Sequence, residues 1–321
     1  MLIKRIAILG GTGFVGRSLC NRLSALGYET KVLTRNREYN REELILLPGL
    51  ELVQIDIYDQ DKLNHELSDC DAVVNLIGIL NERGNSGKGF HKAHVEVAEN
   101  ILKACESNGI KRILQMSALN ANEENGSSHY LRSKGKAENL LHDNQQGIHV
   151  TSFQPSVIFG PEDSFFNRFA KLLNMTPLMF PLACHNSQFA PVYVLDVIEM
   201  MAQSINKPDS YGKRYQLCGP KTYSLKQLVE YTADVLMLNR KIIPLNDLLS
   251  RIQAVVFDFV PGKPFSTDNY LSAKQDSICE RNDLLAFGIE PKSLESIVPS
   301  YLNKQNYRAR YTDFRSVAKR D

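Results

Sequence analysis

Short apolar runs alternate with amphipathic stretches along the first half of the chain. The runs are rich in aliphatic and β-branched residues and predict strands over 6–9, 31–33, 51–55, 72–77, 112–116 and 149–153. They are nearly continuous in apolarity, which is typical of parallel strands covered by helices on both faces. The alternation therefore predicts an α/β fold with a doubly wound parallel sheet.

The regular alternation weakens after Pro155, where Gly-Pro and Pro-Gly turn signals become frequent. We therefore predict a parallel-sheet domain over 1–154 and a smaller C-terminal α/β lobe over 155–300, interleaved with the core of that domain. A basic, aromatic tail over 301–321 completes the chain.

The composition is that of an ordinary globular protein, with 43% hydrophobic and 23% charged residues among 321. The 38 basic and 36 acidic residues leave a net charge of +2, which gives no electrostatic reason to expect nucleic acid as a partner. The chain enters its first apolar run directly after Met1, and no stretch reaches the roughly 18 apolar residues of a membrane span. These features predict a soluble, cytoplasmic protein.

The cysteines and histidines do not predict a metal site. Six cysteines are scattered without a C-x-x-C pair, which favours free structural thiols in a reducing compartment over a disulfide framework or a zinc site. His91 and His94 are three residues apart in a predicted helix, but no third ligand lies nearby in the sequence. We expect no metal.

A glycine-rich loop, GGTGFVG, follows the first strand directly and opens an apolar-periodic helix that ends at Gly27. Gly10, Gly13 and Gly16 provide the tight turn and allow phosphate to approach backbone N–H groups at the positive end of the helix. A flexible turn is the alternative, but the strand before the loop and the helix after it favour a dinucleotide site in a Rossmann fold.

The residues after the second and third strands are candidate contacts of the adenosine part of the dinucleotide. Arg35 and Arg37 follow the second strand, where an NAD-specific site usually carries an acid. Two guanidinium groups suit a 2′-phosphate, so we predict NADP(H) in preference to NAD(H), although both arginines could also be solvated surface. Asp56, followed by Ile57, could contact the adenine or cap the next helix.

Tyr130 and Lys134 are the candidate catalytic pair. They are four residues apart in a predicted helix after the fifth strand and therefore share one helical face. A lysine so placed could lower the pKa of the phenol and make it an acid or base beside a carbonyl that undergoes hydride transfer. Isolated Y-x-x-x-K patterns are common, and surface decoration is the alternative.

The chain resembles the atypical extended short-chain dehydrogenases/reductases, in particular the group of the NADPH-binding accessory subunit of respiratory complex I and its bacterial relatives. The resemblance is carried by GGTGFVG, VLTRNRE, NLIGIL, MSALNA, YLRSK, QPSVIFGPED and FAPVYVLDV. Together with the residues argued above, it predicts that the dinucleotide contacts residues spread over several loops. These are Gly10, Thr12, Gly13, Phe14, Val15, Gly16, Arg35, Arg37, Asp56, Ile57, Leu76, Ile77, Gly78, Tyr130, Lys134, Pro155, Val157 and Ile158.

The resemblance also assigns individual roles. Thr12 to Val15 would hold the pyrophosphate, Leu76 to Gly78 the adenosine side, and Pro155, Val157 and Ile158 the nicotinamide edge. A serine or threonine near the end of the fifth strand orients the substrate in active relatives, and here this donor is Ser117 or is missing at Ala118. His94 stands where the family has an asparagine, so the catalytic tetrad is incomplete.

Three functions follow as alternatives. The first is an NADP(H)-dependent oxidoreductase acting on a small or isoprenoid-like carbonyl or hydroxyl compound, with Tyr130, Lys134 and Ser117 as catalytic residues. The second is a non-catalytic, NADPH-holding accessory module of a membrane respiratory complex. A nucleotide-sugar epimerase or dehydratase is the third and has the least support, because the region after residue 160 carries few polar groups.

Two further features are predicted in the second half of the chain, an apolar lobe and a contact surface. Aromatic and aliphatic residues over 165–180 predict an apolar lobe, either as its packed core or as a lipid-shaped substrate pocket. An apolar stripe over 245–260 and the tail over 301–321 suit a peripheral membrane or protein contact on the cytoplasmic face of the inner membrane. The alternatives are a helix that faces its own core and a solvated tail.

Overall fold

A computed structural model describes residues 2–38, 44–145 and 147–303. The centre of the protein is a seven-stranded sheet. Its strands are β1 (Arg5–Leu9), β2 (Glu29–Thr34), β3 (Leu50–Gln54), β4 (Ala72–Asn75), β5 (Arg112–Met116), β6 (His149–Pro155) and β11 (Arg214–Leu217). They lie in the order β11-β6-β5-β4-β1-β2-β3, and every neighbouring pair is parallel.

Six further strands form three two-stranded sheets outside the central one. They are β7 (Ile158–Phe159) with β10 (Val192–Tyr193), β9 (Gln188–Phe189) with β12 (Tyr223–Ser224), and β8 (Met179–Leu182) with β13 (Lys241–Pro244). The α-helices that the structure describes are α1 (Phe14–Ala25), α2 (Gln60–Leu67), α3 (Lys88–His91), α4 (Val97–Asn108), α5 (His129–His142), α6 (Phe166–Met175), α7 (Val194–Ser204), α8 (Leu225–Val235), α9 (Asp247–Asp258), α10 (Thr267–Ala273) and α11 (Leu294–Leu302). A π-helix (Lys92–Glu96) joins α3 to α4, and 3-10 turns lie at Pro208–Ser210 and Leu285–Phe287.

Helices cover both faces of the central sheet, so the predicted doubly wound fold is confirmed. Leu19 of α1 and Val197 of α7 pack on one face with Ile8 of β1. Leu63 of α2 and Ile101 of α4 pack on the other face with apolar residues of β1, β4 and β5. Because both faces are buried, the strands carry the continuous apolar runs that distinguish them in the sequence.

The seventh strand was not predicted. β11 follows the proposed boundary at 154/155 by about sixty residues, yet it pairs with β6 at the edge of the central sheet. Its sequence, RYQL, holds two apolar residues in four, which is too short a run to predict a strand. The chain after 155 is therefore interleaved with the first domain, and the boundary itself stays a prediction.

Most apolar residues of the segment over 165–180 belong to the core of the smaller lobe, whereas Met175, Leu178 and Met179 are exposed. Phe166, Leu173 and Phe180 are buried against residues of α8 and α11, and Phe165 and Phe169 pack on the same cluster. These side chains line neither of the two principal cavities of the described residues. The structure thus favours the packed core over a lipid-shaped pocket.

The expectation that all six cysteines are free thiols is wrong for one pair. Cys218, directly after β11, is disulfide-bonded to Cys279, which lies 61 residues further on. Cys20, Cys70 and Cys105 are buried thiols. Sequence spacing cannot reveal such a pair, because the return of residues 276–283 alongside β11 brings the two cysteines together only in the folded chain.

None of the helices among the described residues is long and apolar enough to cross a membrane.

Candidate functional site

The predicted cofactor residues line one edge of the central sheet. The loops after β1, β2, β3, β4 and β6 all leave the carboxyl ends of parallel strands, so they meet along the same edge. β1 lies between β2 and β4, and the strand order reverses direction there. This is the position at which doubly wound sheets open a crevice for a ligand.

The glycines let the loop after β1 pack closely against the start of α1. Gly10 adopts a φ of +81°, a conformation that side chains rarely tolerate. A Cβ on Gly16 would lie 2.3 Å from the carbonyl oxygen of Gly10, so only glycine lets α1 pack this closely on the loop. Gly13 is the N-cap residue of α1, and α1 begins just after the carboxyl end of β1, at the edge where the crevice opens. The positive end of α1 is thereby available to a phosphate.

The loops after β2 and β3, where the adenosine is expected, carry exposed charged groups. Arg35, Arg37 and Asp56 are exposed at the ends of β2 and β3, whereas Ile57 is buried. Asp56 accepts a hydrogen bond from the backbone N–H of Tyr58 at 3.1 Å, and the cap of α2 is Asp59 instead. The proposed capping role of Asp56 is therefore wrong.

Two residues beside these groups, Tyr58 and Lys92, were not predicted from the sequence. The ammonium of Lys92 lies 4.5 Å above the ring of Tyr58, and the Tyr58 hydroxyl donates to the carbonyl of Lys92. Burial, with a contribution from the negative charge of Glu96, raises the pKa of Tyr58. Neither residue belongs to a motif, so only the folded chain identifies them.

Tyr130 lies in the first turn of α5. Ser128 caps this helix through its side chain, and the Asp268 carboxylate accepts hydrogen bonds from the backbone N–H groups of His129 and Tyr130. The Tyr130 ring packs edge-on against Phe90 and His94. Burial, reinforced by the negative charge of Asp268, raises the pKa of Tyr130 to about 12, so the phenol is protonated at neutral pH.

Lys134 shares the helical face of Tyr130 and is 3% exposed. Its ammonium donates to the backbone carbonyls of Met116 at 3.0 Å and Ile77 at 3.3 Å, which ties α5 to the ends of β4 and β5. Burial lowers the pKa of Lys134 to about 8. Gly78 lies beside it, since a Cβ there would come within 3.1 Å of the ammonium nitrogen.

His94 occupies the π-helix and is buried beside this lysine. Its Nε2 accepts the backbone N–H of Ile79, which leaves the proton on Nδ1 and makes that nitrogen the donor to Ser133. Ser133 in turn donates to the carbonyl of Tyr130. Burial, with a contribution from the charge of Lys134, lowers the pKa of His94 to about 2, so the ring is neutral. His94 thus connects the loop after β4 to the first turn of α5.

The Ser117 hydroxyl donates to the carboxylate of Glu138, a buried residue one turn beyond Lys134 on α5. Glu138 also accepts from Gln154 and forms an ion pair with Arg214 at 2.9 Å. The proposed substrate donor is therefore directed towards a polar network between α5, β6 and β11.

The remaining predicted residues, those expected at the nicotinamide edge, lie where β6 leads into β7. Pro155 is buried at the end of β6, and Val157 and Ile158 are half-buried where the chain turns into β7. A cavity of about 90 Å³ lies near α5, and its lining includes Phe90, His129 and Asp268. A larger one of about 540 Å³ runs along the edge strand β3, away from Tyr130. Among the described residues, no three potential ligand side chains cluster in a way that could hold a metal ion.

Comparison with known proteins identifies the family. The sequence profile of the NAD dependent epimerase/dehydratase family matches residues 6–218. The mitochondrial NADH dehydrogenase [ubiquinone] 1 alpha subcomplex subunit 9 of Rattus norvegicus is 28% identical over 296 residues, covering 90% of this chain and 77% of that protein. A 2-alkyl-3-oxoalkanoate reductase of Stenotrophomonas maltophilia is 28% identical over 177 residues, covering 50% of this chain and 52% of the reductase.

Solved structures share the fold. Pal from Bacillus thuringiensis superposes with a TM-score of 0.75 at 17% identity, covering 93% of this chain and 98% of that one. A nucleoside-diphosphate-sugar epimerase from Staphylococcus aureus gives a TM-score of 0.72 at 20% identity, with 94% and 100% covered. The family profile and the sequence relatives confirm the resemblance inferred from the sequence motifs, and the solved structures show the shared fold.

Proposed function

Since the chain belongs to the NAD dependent epimerase/dehydratase family, we propose that it retains NADP(H) in the crevice and works as a cofactor-holding module. The glycine loop supports the dinucleotide, because it places the positive end of α1 at the edge of the sheet where the crevice opens. Arg35, exposed at the end of β2, supports the 2′-phosphate form.

The engagement of Ser117 with Glu138 is the observation that carries the non-catalytic part of the proposal. A hydroxyl that donates to a buried carboxylate is not available to orient a substrate carbonyl.

The apolar face of α9 supports the proposal that the module docks on a partner. Leu248, Ile252 and Phe259 are exposed along this helix and its end, while Ser250 and Ala254 face inwards. Relatives named as NADH dehydrogenase subunits suggest that the partner is a membrane-bound respiratory complex. The tail over 301–321 was also predicted to contribute to this contact, but its residues beyond Asn303 lie outside the described part of the chain.

An oxidoreductase is the second candidate, and the placement of Tyr130 and Lys134 on one face of α5 at the crevice favours it. The nucleotide-sugar alternative gains no such support, since the cavity beside α5 measures only about 90 Å³.

The test is to purify the full chain without added ligand, release any bound nucleotide by denaturation and identify it by mass spectrometry. We expect NADP(H) in stoichiometric amount and no oxidation of bound NADPH at 340 nm when quinones or ketones are offered. Protein that neither carries nor binds a dinucleotide would overturn the cofactor proposal. Turnover that Tyr130→Phe abolishes without loss of cofactor affinity would replace the module with the oxidoreductase.

A further inference from the structure

Arg17 is a charged residue at the phosphate loop that no motif singled out. It lies one residue beyond Gly16 in the first turns of α1, and helical side chains lean back towards the N-terminus of their helix. Accordingly, its Nη1 donates to the carbonyl oxygen of Thr12 at 3.0 Å, within the glycine loop. The guanidinium therefore lies at the end of α1 that is open to a phosphate.

The same guanidinium is held by a carboxylate from another part of the fold. Its Nη2 forms an ion pair with Glu162, which is half exposed and lies in the turn after β7. Asp163 closes this turn by accepting the N–H of Gly160, and the Phe14 ring packs against Gly160 so tightly that a Cβ there would lie 3.1 Å from it. The turn is thus fixed against the glycine loop, and Glu162 is an anion held beside the phosphate site.

We propose that Arg17 is a ligand of the cofactor pyrophosphate and that Glu162 occupies its guanidinium until the dinucleotide binds. A guanidinium pairs well with phosphate oxygens, and the pyrophosphate would add to the negative charge beside Glu162. Cofactor binding then exchanges the carboxylate for the pyrophosphate. This inference rests on the proposed dinucleotide site and adds a binding residue to it.

The exchange predicts opposite effects for the two partners. Arg17→Ala should raise the Kd for NADH and NADPH by the same factor, about tenfold or more, because both share the pyrophosphate. Arg17→Lys should lose less, since it keeps the charge. Glu162→Gln should lower both Kd values, because it removes the competing anion. The decrease in Kd should be smaller when Glu162→Gln is combined with Arg17→Ala than when it is made in the wild type.

Another ion pair on the same helix supplies the matched control. Arg22 pairs with Glu199 of α7 at 2.8 Å, near the end of α1 that is remote from the glycine loop. Arg22→Ala and Glu199→Gln should leave both Kd values unchanged, even where they lower the thermal stability of the cofactor-free chain.

The measurement is isothermal titration of full-length variants with NADH and NADPH, with thermal denaturation of each cofactor-free variant beside it. The inference is overturned if Arg17→Ala binds both cofactors as tightly as the wild type. It is also overturned if Glu162→Gln weakens binding as much as Arg17→Ala does, because the ion pair would then be required intact. A wild type that binds neither cofactor contradicts the proposed function, whereas normal wild-type binding with an unaffected Arg17→Ala contradicts this inference alone.

Discussion

Ser117 is placed by the sequence at the end of β5, where active relatives carry a substrate donor, but its hydroxyl donates to Glu138. We expect Ser117→Ala to leave cofactor affinity and any turnover unchanged and to lower the free energy of unfolding by about 2 kcal/mol, because the lost hydrogen bond is to a buried carboxylate. Chemical denaturation and cofactor titration on the same preparation measure both. A loss of turnover at unchanged stability would return Ser117 to the catalytic residues.

Arg35 tests the choice of cofactor. Arg35→Ala should weaken NADPH binding by about tenfold and leave NADH binding nearly unchanged, because only NADPH carries the 2′-phosphate. Arg37→Ala is the matched comparison, since Arg37 is exposed on the same loop. Equal losses for the two cofactors in titrations of Arg35→Ala would contradict the assignment of this side chain to the 2′-phosphate.

His94 gives the fold a pH dependence whose sign can be worked out. Its pKa is about 2 in the folded chain against an ordinary value of 6.5, so below pH 6.5 the unfolded chain takes up a proton that the folded chain does not. The contribution is constant above pH 6.5, and stability falls by about 1.4 kcal/mol for each pH unit below it, or about 2 kcal/mol by pH 5.

Urea denaturation of the wild type and His94→Gln at pH 7 and pH 5 isolates this contribution. The variant is expected to be less stable at pH 7 through lost hydrogen bonds, but its further loss on going to pH 5 should be about 2 kcal/mol smaller. Parallel losses in the two proteins would show that His94 takes up its proton in the folded state.

At the scale of elements, the segment around residues 276–283 joins β11 to the crevice. Asp283 accepts the backbone N–H of Gln216, Ser277 accepts from the Ser156 hydroxyl, and the Cys218–Cys279 bond fixes the segment covalently. Ser156 directly follows Pro155, so this segment holds the end of β6, which is predicted to contact the nicotinamide.

The disulfide should stabilise the fold chiefly by restricting the unfolded chain. It closes a loop between residues 61 apart, which corresponds to about 4 kcal/mol in the chain-entropy treatment. Guanidinium unfolding of the wild type should therefore shift to lower concentration when dithiothreitol is added. Cys218→Ser should unfold near the reduced wild type and show no response to dithiothreitol, and a response in that variant would contradict the assigned pairing.

At the scale of the whole molecule, the apolar face of α9 is the surface through which the module would dock. Leu248→Lys combined with Ile252→Lys should abolish copurification with the respiratory complex in membranes of the source cell, at unchanged thermal stability, because both side chains are exposed. Leu285→Lys, also at an exposed leucine, is the control. Sedimentation of the wild type with protein-free anionic vesicles would assign this face to lipid, and copurification of the double variant would remove α9 from the interface.

The sequence by itself determined the central fold and the edge of the sheet that carries the site. Runs of apolar residues and a glycine loop depend on neighbours within a few positions, so they can be recognised without coordinates. Once the strands are known to be parallel, their carboxyl ends must meet along one edge, which places Gly13, Arg35 and Gly78 there.

Only the tertiary structure decided which side chains meet across long stretches of chain. Ser117 and Glu138, Cys218 and Cys279, and Arg17 and Glu162 lie 21, 61 and 145 residues apart. The periodicity of the stretch that became α9 fixed its helix and its apolar stripe, but not whether another element covers that stripe. These outcomes depend on how the elements pack, because a contact between distant residues is set by the positions of whole helices and strands and leaves no local pattern in the sequence.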